Sequence, residues 1–123
     1  MPANVDWVSS DHYRRKSSDD YLHDVKEMYA PIFSKMHDHQ RAVLIPGAGH
    51  PKDHHKMCDD QCTAKVELQD AKDFVDWAKS DSRIVGVMPY SWMRDGQVEQ
   101  GANQLSGNGD LLKFYADLGR STK

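Results

Sequence analysis

The chain has 123 residues, of which 38% are hydrophobic, with a formal net charge of −3 and a mean hydropathy of −0.79. This length suits a single domain over residues 1–123, and the clustering of apolar residues in runs excludes a disordered chain. The charges form no basic stripe, which argues against nucleic acid as a partner, and no apolar run approaches the roughly 20 residues of a membrane span. Residues 1–4 show neither the basic nor the apolar region of a signal peptide.

The first strand–helix unit begins at residue 5. Residues 5–13 open with the β-branched and aromatic side chains of a strand and end in polar ones. The mixed-charge run that starts at Arg14 predicts a solvated loop, in which Ser17, Ser18 and Asp19 are candidate helix N-caps. Pro31 is expected to kink or divide the helix that follows. Apolar residues spaced three and four apart predict this helix: Leu22, Val25, Met28, Tyr29, Ile32, Phe33 and Met36.

Two more strand–helix units follow the first. Residues 42–45 are continuously apolar, as in a strand buried on both faces, and a polar loop extends from there to about residue 62. Thr63 is the expected N-cap of the second helix, and residues 84–92 predict a third strand. A loop at 93–109 then leads to a short helix that Asp110 caps and Gly119 ends. The alternation predicts an α/β fold of three consecutive βα units around a parallel sheet.

Polar and aromatic side chains follow each predicted strand. In parallel α/β folds the carboxyl ends of the strands face the ligand site, so these side chains are expected to share one surface. The low hydropathy also suggests that further chain or a partner supplies part of the burial. The candidate residues at the strand ends are Asp11, His12, Tyr13, His50, Tyr90, Trp92, Arg94 and Asp95.

The segment 5–13, with its D-W-x-x-x-D-x-Y pattern, resembles the sixth strand of cellulase-like (β/α)8-barrel glycoside hydrolases. Residues 86–92, which end in Trp92, resemble the eighth strand, where a Trp commonly stacks under a sugar. The resemblance implies that the chain is the C-terminal part of a TIM barrel, with a polysaccharide or oligosaccharide as partner and no cofactor. It also implies an extracellular parent protein, and that the isolated chain needs the missing barrel units or self-association.

One departure from this family concerns catalysis. The family's seventh strand ends in the nucleophilic glutamate, whereas the matching strand here continues into Pro46 and Gly47 without a carboxylate. The family's acid/base glutamate comes from a fourth strand that this chain lacks. The usual pair of carboxylates is therefore not assembled from these positions, and whether the chain is an enzyme stays open. A non-catalytic carbohydrate- or protein-binding module is the alternative.

The candidate residues divide by chemistry. Asp11 and Asp95 are the candidate catalytic carboxylates, although each is also an ordinary loop residue. Tyr90 and Trp92 offer flat faces for a sugar ring, and Arg94 could hold a substrate hydroxyl. His12, Tyr13 and His50 complete the proposed binding set. Trp7 and Trp77 are expected in the core.

A second constellation lies in the loop after the second strand: His50, His54, His55, Cys58 and Cys62. Its spacing does not match the usual zinc motifs, so no metal site is assigned, although a small metal-binding module remains an alternative function. With the extracellular parent that the resemblance implies, a disulfide between Cys58 and Cys62 is favoured over zinc or free thiols. A dinucleotide site at Gly47 and Gly49 is disfavoured, because His50 and Pro51 replace the helix start that would hold a phosphate.

Overall fold

A computed structural model describes residues 1–14, 16, 18–47, 50–51, 64–90, 99–100 and 109–121. It confirms the α/β fold, with strands and helices alternating along the chain. No helix in these ranges has the length and apolarity that crossing a bilayer requires. The elements are β1 (Trp7–Val8), α1 (Tyr21–Phe33), β2 (Arg41–Leu44), β3 (His50–Pro51), α2 (Ala64–Ser80), β4 (Ile84–Val87), β5 (Glu99–Gln100) and α3 (Gly109–Ser121).

The main sheet is parallel, as the sequence predicts, and its strand order is β1-β2-β4. Trp7 and Val8 align with Arg41 and Ala42, and β2 aligns with β4 through a register shift after Ala42. A second, antiparallel pair joins β3 to β5. These two short strands lie within segments that the sequence predicts as loops, because a pairing between distant loops leaves no local periodicity.

The helix ends differ from the predictions. The N-cap of α1 is Asp20, whose side chain accepts a hydrogen bond from the His23 N–H at 3.2 Å, rather than Ser17, Ser18 or Asp19. Pro31 does not divide α1, because it lies in the last turn and only Ile32 and Phe33 follow it in the helix. The helix ends at Phe33, short of Met36.

The ends of α3 also differ from the predictions. Asp110 lies inside the first turn of α3 instead of capping it. Gly119 does not end the helix, which continues to Ser121. A glycine inside a helix costs only about 1 kcal/mol, which does not by itself terminate it.

The core lies between the sheet and helices α1 and α2. Trp77 is buried in it, as predicted, but Trp7 is 71% exposed, so its assignment to the core is wrong. Successive side chains of a strand point to opposite faces, and Val8 is the one that packs against the helices. The buried residues of this core are Tyr21, Val25, Tyr29, Ala42, Leu44, Phe74, Trp77 and Ile84.

The hydroxyl of Tyr29 joins β1 to β2 just beyond the regular ladder. It accepts a hydrogen bond from the Ser10 N–H at 2.9 Å and lies 3.1 Å from the carbonyl oxygens of both Ser10 and Val43. Tyr29 is fully buried, and burial raises the pKa of its hydroxyl, which therefore stays protonated and able to donate. A side chain of α1 thus takes over hydrogen bonds that the short strand β1 does not make through its own ladder.

We expect the Tyr29→Phe substitution to lower the free energy of unfolding by about 1–3 kcal/mol, because it leaves backbone groups of Ser10 and Val43 without this partner in a buried region. Urea unfolding followed by circular dichroism measures the change, and the denaturant slope should stay the same. Tyr13→Phe is the matched control, since Tyr13 is only partly buried and its hydroxyl bonds to the exposed side chain of Asp11 rather than to buried backbone. It should change stability by less than about 0.5 kcal/mol. Equal effects of the two substitutions would contradict a bridging role for Tyr29.

Candidate functional site

The carboxyl ends of the three parallel strands lie side by side. Beyond the regular ladder, Asp11 pairs with Ile45 and Gly47 pairs with Tyr90, both in parallel register. The Tyr90 N–H also donates to the Pro46 carbonyl oxygen at 2.9 Å. The structure therefore brings Asp11, Tyr13 and Tyr90 together at the end of the sheet where the carboxyl ends of the strands lie.

Tyr13 is the centre of this group. Its hydroxyl donates to Asp11 Oδ2 at 3.1 Å, and its ring centroid lies 5.9 Å from that of Tyr90 with an interplanar angle of 32°. A Cβ atom added at Gly47 would lie 3.5 Å from Tyr13 Cδ1, so the ring rests close to the backbone of that residue. We define the strand-end surface as Asp11, Tyr13, Gly47 and Tyr90.

Protonation at this surface follows from burial and charge. Burial raises the pKa of the Tyr13 hydroxyl, and the neighbouring Asp11 raises it further through its charge and the hydrogen bond that it accepts. Tyr13 therefore remains a neutral donor throughout the ordinary pH range. Asp11 is exposed, so its carboxylate is accessible to a ligand as well as to Tyr13.

His12 lies beside this surface and lines a neighbouring cleft of about 380 Å³, together with Tyr13, Asp24 and Glu27. Its ring centroid is 6.3 Å from that of Tyr21. The His12 carbonyl oxygen accepts a hydrogen bond from the Tyr21 hydroxyl at 2.5 Å. His12 thus contributes its backbone to the framework of the site and its ring to the cleft.

Arg14 is not the solvated loop residue that its mixed-charge run predicts. Its guanidinium forms a two-pronged ion pair with Asp70 of α2, with Nε–Oδ2 at 2.9 Å and Nη2–Oδ1 at 2.6 Å. It also donates to the carbonyl oxygens of Lys16 and Asp19 and lies 5.4 Å over the Tyr21 ring. The side chains of Arg14 and Asp70 are only 14% and 8% exposed.

Tyr21 and Asp70 also belong to the framework of the site, although neither was predicted from the sequence. The signal for Tyr21 was its spacing of four from Val25 and again to Tyr29, which places all three on one face of α1. The signal for Asp70 was a carboxylate adjacent to Ala71 on the buried face of α2. An acidic residue on an apolar face requires a partner, and Arg14 is that partner.

Several predicted residues fall outside the described ranges. These are Trp92, Arg94 and Asp95, together with His54, His55, Cys58 and Cys62 of the second constellation. His50 is described only through the backbone of β3, which pairs it with Gln100. Within the described part of the chain, no three His, Cys, Asp or Glu side chains converge as metal ligands. The comparisons with protein-family models, curated proteins and solved structures found no match.

We expect the Arg14→Met substitution to destabilise the protein by about 3 kcal/mol at pH 7, because it leaves the Asp70 carboxylate buried without its cation. Burial already raises the pKa of Asp70, and the hydrogen bonds and charge of Arg14 oppose that shift. Without Arg14 the folded-state pKa rises further above the unfolded value. The deficit should therefore shrink as the pH falls through that raised pKa, where the folded variant protonates Asp70, and should level off once Asp70 is protonated in the folded parent protein as well.

Urea unfolding of the parent protein and the variant at a series of pH values tests this expectation. The control is the double variant Arg14→Met/Asp70→Leu, which removes both charges and should recover much of the lost stability. A deficit that stays constant with pH, or a double variant no more stable than Arg14→Met alone, would show that the ion pair is not the source of the effect.

Proposed function

We propose that the chain binds a saccharide at the strand-end surface, as part of a glycoside-hydrolase-like barrel. The observation that carries the proposal is the pairing of the Tyr13 and Tyr90 rings beside the exposed carboxylate of Asp11. Aromatic faces pack against the C–H faces of a pyranose, and a carboxylate accepts hydrogen bonds from its hydroxyl groups. A pair of tilted rings with an adjacent acceptor suits a ligand that is apolar on its faces and polar around its edge.

The engaged backbone of Gly47 favours a sugar over a phosphate ligand. A nucleotide site in a fold of this class presents backbone N–H groups of a glycine-rich loop to the phosphate. The Gly47 N–H instead donates to the Tyr21 hydroxyl at 3.3 Å. The charged group that the strand-end surface presents is also the anionic Asp11, which would repel a phosphate.

Hydrolysis of a bound saccharide would require a second carboxylate in addition to Asp11. Glycosidases flank the scissile bond with two carboxyl groups roughly 5–10 Å apart. Asp11 can supply one of them, and Asp95 is the predicted partner. Saccharide binding by Asp11, Tyr13 and Tyr90 does not depend on that partner. Binding without turnover is therefore the function proposed for this chain, with turnover proposed only where a second carboxylate faces Asp11.

The exposed face of the sheet supports the barrel part of the proposal. Trp7 and Val85 are 71% and 55% exposed, while the residues next to them along their strands, Val8 and Ile84, pack against the helices. Parallel sheets occur almost entirely with both faces covered. In a barrel, that second face is the interior, where side chains from the remaining strands would cover these residues. The parent proposed here is extracellular, where polysaccharide substrates occur.

We expect the Tyr90→Ala substitution to weaken binding of β-linked glucan oligosaccharides about tenfold, because it removes one of the two stacking faces, while Tyr90→Phe should retain most of the affinity. Titration of the labelled chain, followed by amide NMR shifts, measures the dissociation constants. Trp7→Ala is the surface control, since Trp7 is equally aromatic but belongs to β1 and lies on the opposite side of that strand from the helices.

Shifts confined to the strand-end surface and lost in Tyr90→Ala are the expected result. If Trp7→Ala weakens binding as much as Tyr90→Ala, the saccharide lies on the open face of the sheet, and the proposed site is wrong. If no oligosaccharide shifts any signal of the folded chain, the saccharide proposal itself fails. Incubation of the bound oligosaccharide with the chain, followed by analysis of its length, separates a binding module from a hydrolase.

A further inference from the structure

Helix α1 carries two buried tyrosines, and the hydroxyl of each one connects the segment after β1 to β2 or to the residues that follow β2. Tyr29 lies between Ser10 and Val43, below the strand-end surface. Tyr21 is 2% exposed, and its hydroxyl donates to the His12 carbonyl oxygen while accepting from the Gly47 N–H. The two tyrosines perform the same kind of bridging, but Tyr21 bonds the residue before Tyr13 and the glycine against its ring, whereas Tyr29 bonds the residue before Asp11 and, among the described residues, makes no bond next to the two rings.

Tyr21 joins Gly47, which belongs to the strand-end surface, to the residue that precedes Tyr13. His12 immediately precedes Tyr13, so the bond to its carbonyl oxygen restrains the backbone that carries the Tyr13 ring. Gly47 lies against that ring and pairs with Tyr90 in the sheet. One hydroxyl therefore restrains both sides of the Tyr13–Tyr90 pair.

The ring of Tyr21 is itself held in place. Arg14 lies 5.4 Å over one side of it, and Phe74 packs with a ring-centroid distance of 5.1 Å. Arg14 is in turn fixed by its ion pair with Asp70. Burial raises the pKa of the Tyr21 hydroxyl, against the opposing effect of the Gly47 hydrogen bond, so the group stays protonated and able to donate a hydrogen bond to the His12 carbonyl oxygen.

We propose that Tyr21 is a positioning residue for saccharide binding, whose hydroxyl sets the spacing of the Tyr13 and Tyr90 rings without touching the ligand. This inference rests on the proposed function. A rigid pair of rings loses little conformational entropy when a ligand binds, whereas a mobile pair must first be ordered. The hydroxyl of Tyr21 thus contributes to affinity through the arrangement of the ligand-free protein.

The test compares Tyr21→Phe with Tyr29→Phe, each of which removes one buried bridging hydroxyl from the same helix. Both should lower the urea midpoint of unfolding by similar amounts. At a temperature and urea concentration where both variants are fully folded, Tyr21→Phe should raise the dissociation constant for a β-linked glucan oligosaccharide about tenfold, and Tyr29→Phe by less than about twofold. Equal losses of affinity in the two variants would mean that the hydroxyls are only structural, and would overturn the proposal.

A measurement without ligand separates this inference from the proposed function. In Tyr21→Phe, but not in Tyr29→Phe, the nuclear Overhauser contacts between the Tyr13 and Tyr90 rings should weaken and the Gly47 amide should exchange faster with solvent. Unchanged contacts and exchange would refute the positioning role. If these changes occur but the unaltered chain binds no oligosaccharide, then Tyr21 organises the surface and the saccharide assignment alone is wrong.

A second variant covers the case in which Tyr21→Phe does not fold. Arg14→Lys keeps the Tyr21 hydroxyl and a positive charge near Asp70 but removes the flat guanidinium from the Tyr21 ring. It should loosen the Tyr13–Tyr90 contact and weaken binding by a smaller factor than Tyr21→Phe. An unchanged ring contact together with unchanged affinity would contradict the proposed restraint.

Discussion

The hydroxyl groups of two buried tyrosines on α1 hold the ends of β1 and β2 together, and the strand-end surface depends on them. The regular part of β1 is only Trp7–Val8, so the backbone that follows must find its hydrogen bonds elsewhere. Tyr29 supplies them at Ser10 and Val43, and Tyr21 does so at His12 and Gly47. The helix that covers the sheet therefore also extends the connection between its strands.

The interactions around Tyr21 form a continuous network that links the two helices to the site. Arg14 joins the segment after β1 to Asp70 of α2 and lies over the Tyr21 ring. Partly buried networks of this kind rigidify a structure when they are satisfied and destabilise it when one member is lost. The stability of the α1–α2 layer and the arrangement of Tyr13 beside Tyr90 are for this reason coupled through Arg14 and Tyr21, although neither residue belongs to the strand-end surface.

Sequence patterns revealed the parts of the fold that local periodicity encodes. The apolar run at 42–45 and the three-and-four spacing in α1 predicted a parallel α/β sheet, and the polar strand ends directed attention to Asp11, Tyr13 and Tyr90. The exposure of Trp7 could not be predicted, because its hydrophobicity says nothing about which face of the sheet the helices cover. The pairing of Arg14 with Asp70 spans 56 positions in the chain, so no local pattern contains it.

Tyr13 orients the carboxylate of Asp11 at the strand-end surface. Tyr13 keeps its proton because burial and the Asp11 charge both raise its pKa, and its hydroxyl donates a hydrogen bond to one oxygen of the Asp11 carboxylate. The carboxylate is thus oriented by a donor that does not titrate in the ordinary pH range. Such a group suits the acceptor role that we propose for it, because its other oxygen can accept hydrogen bonds from sugar hydroxyls in a fixed direction. In the proposed function, hydrolysis would therefore require a second carboxylate facing this acceptor.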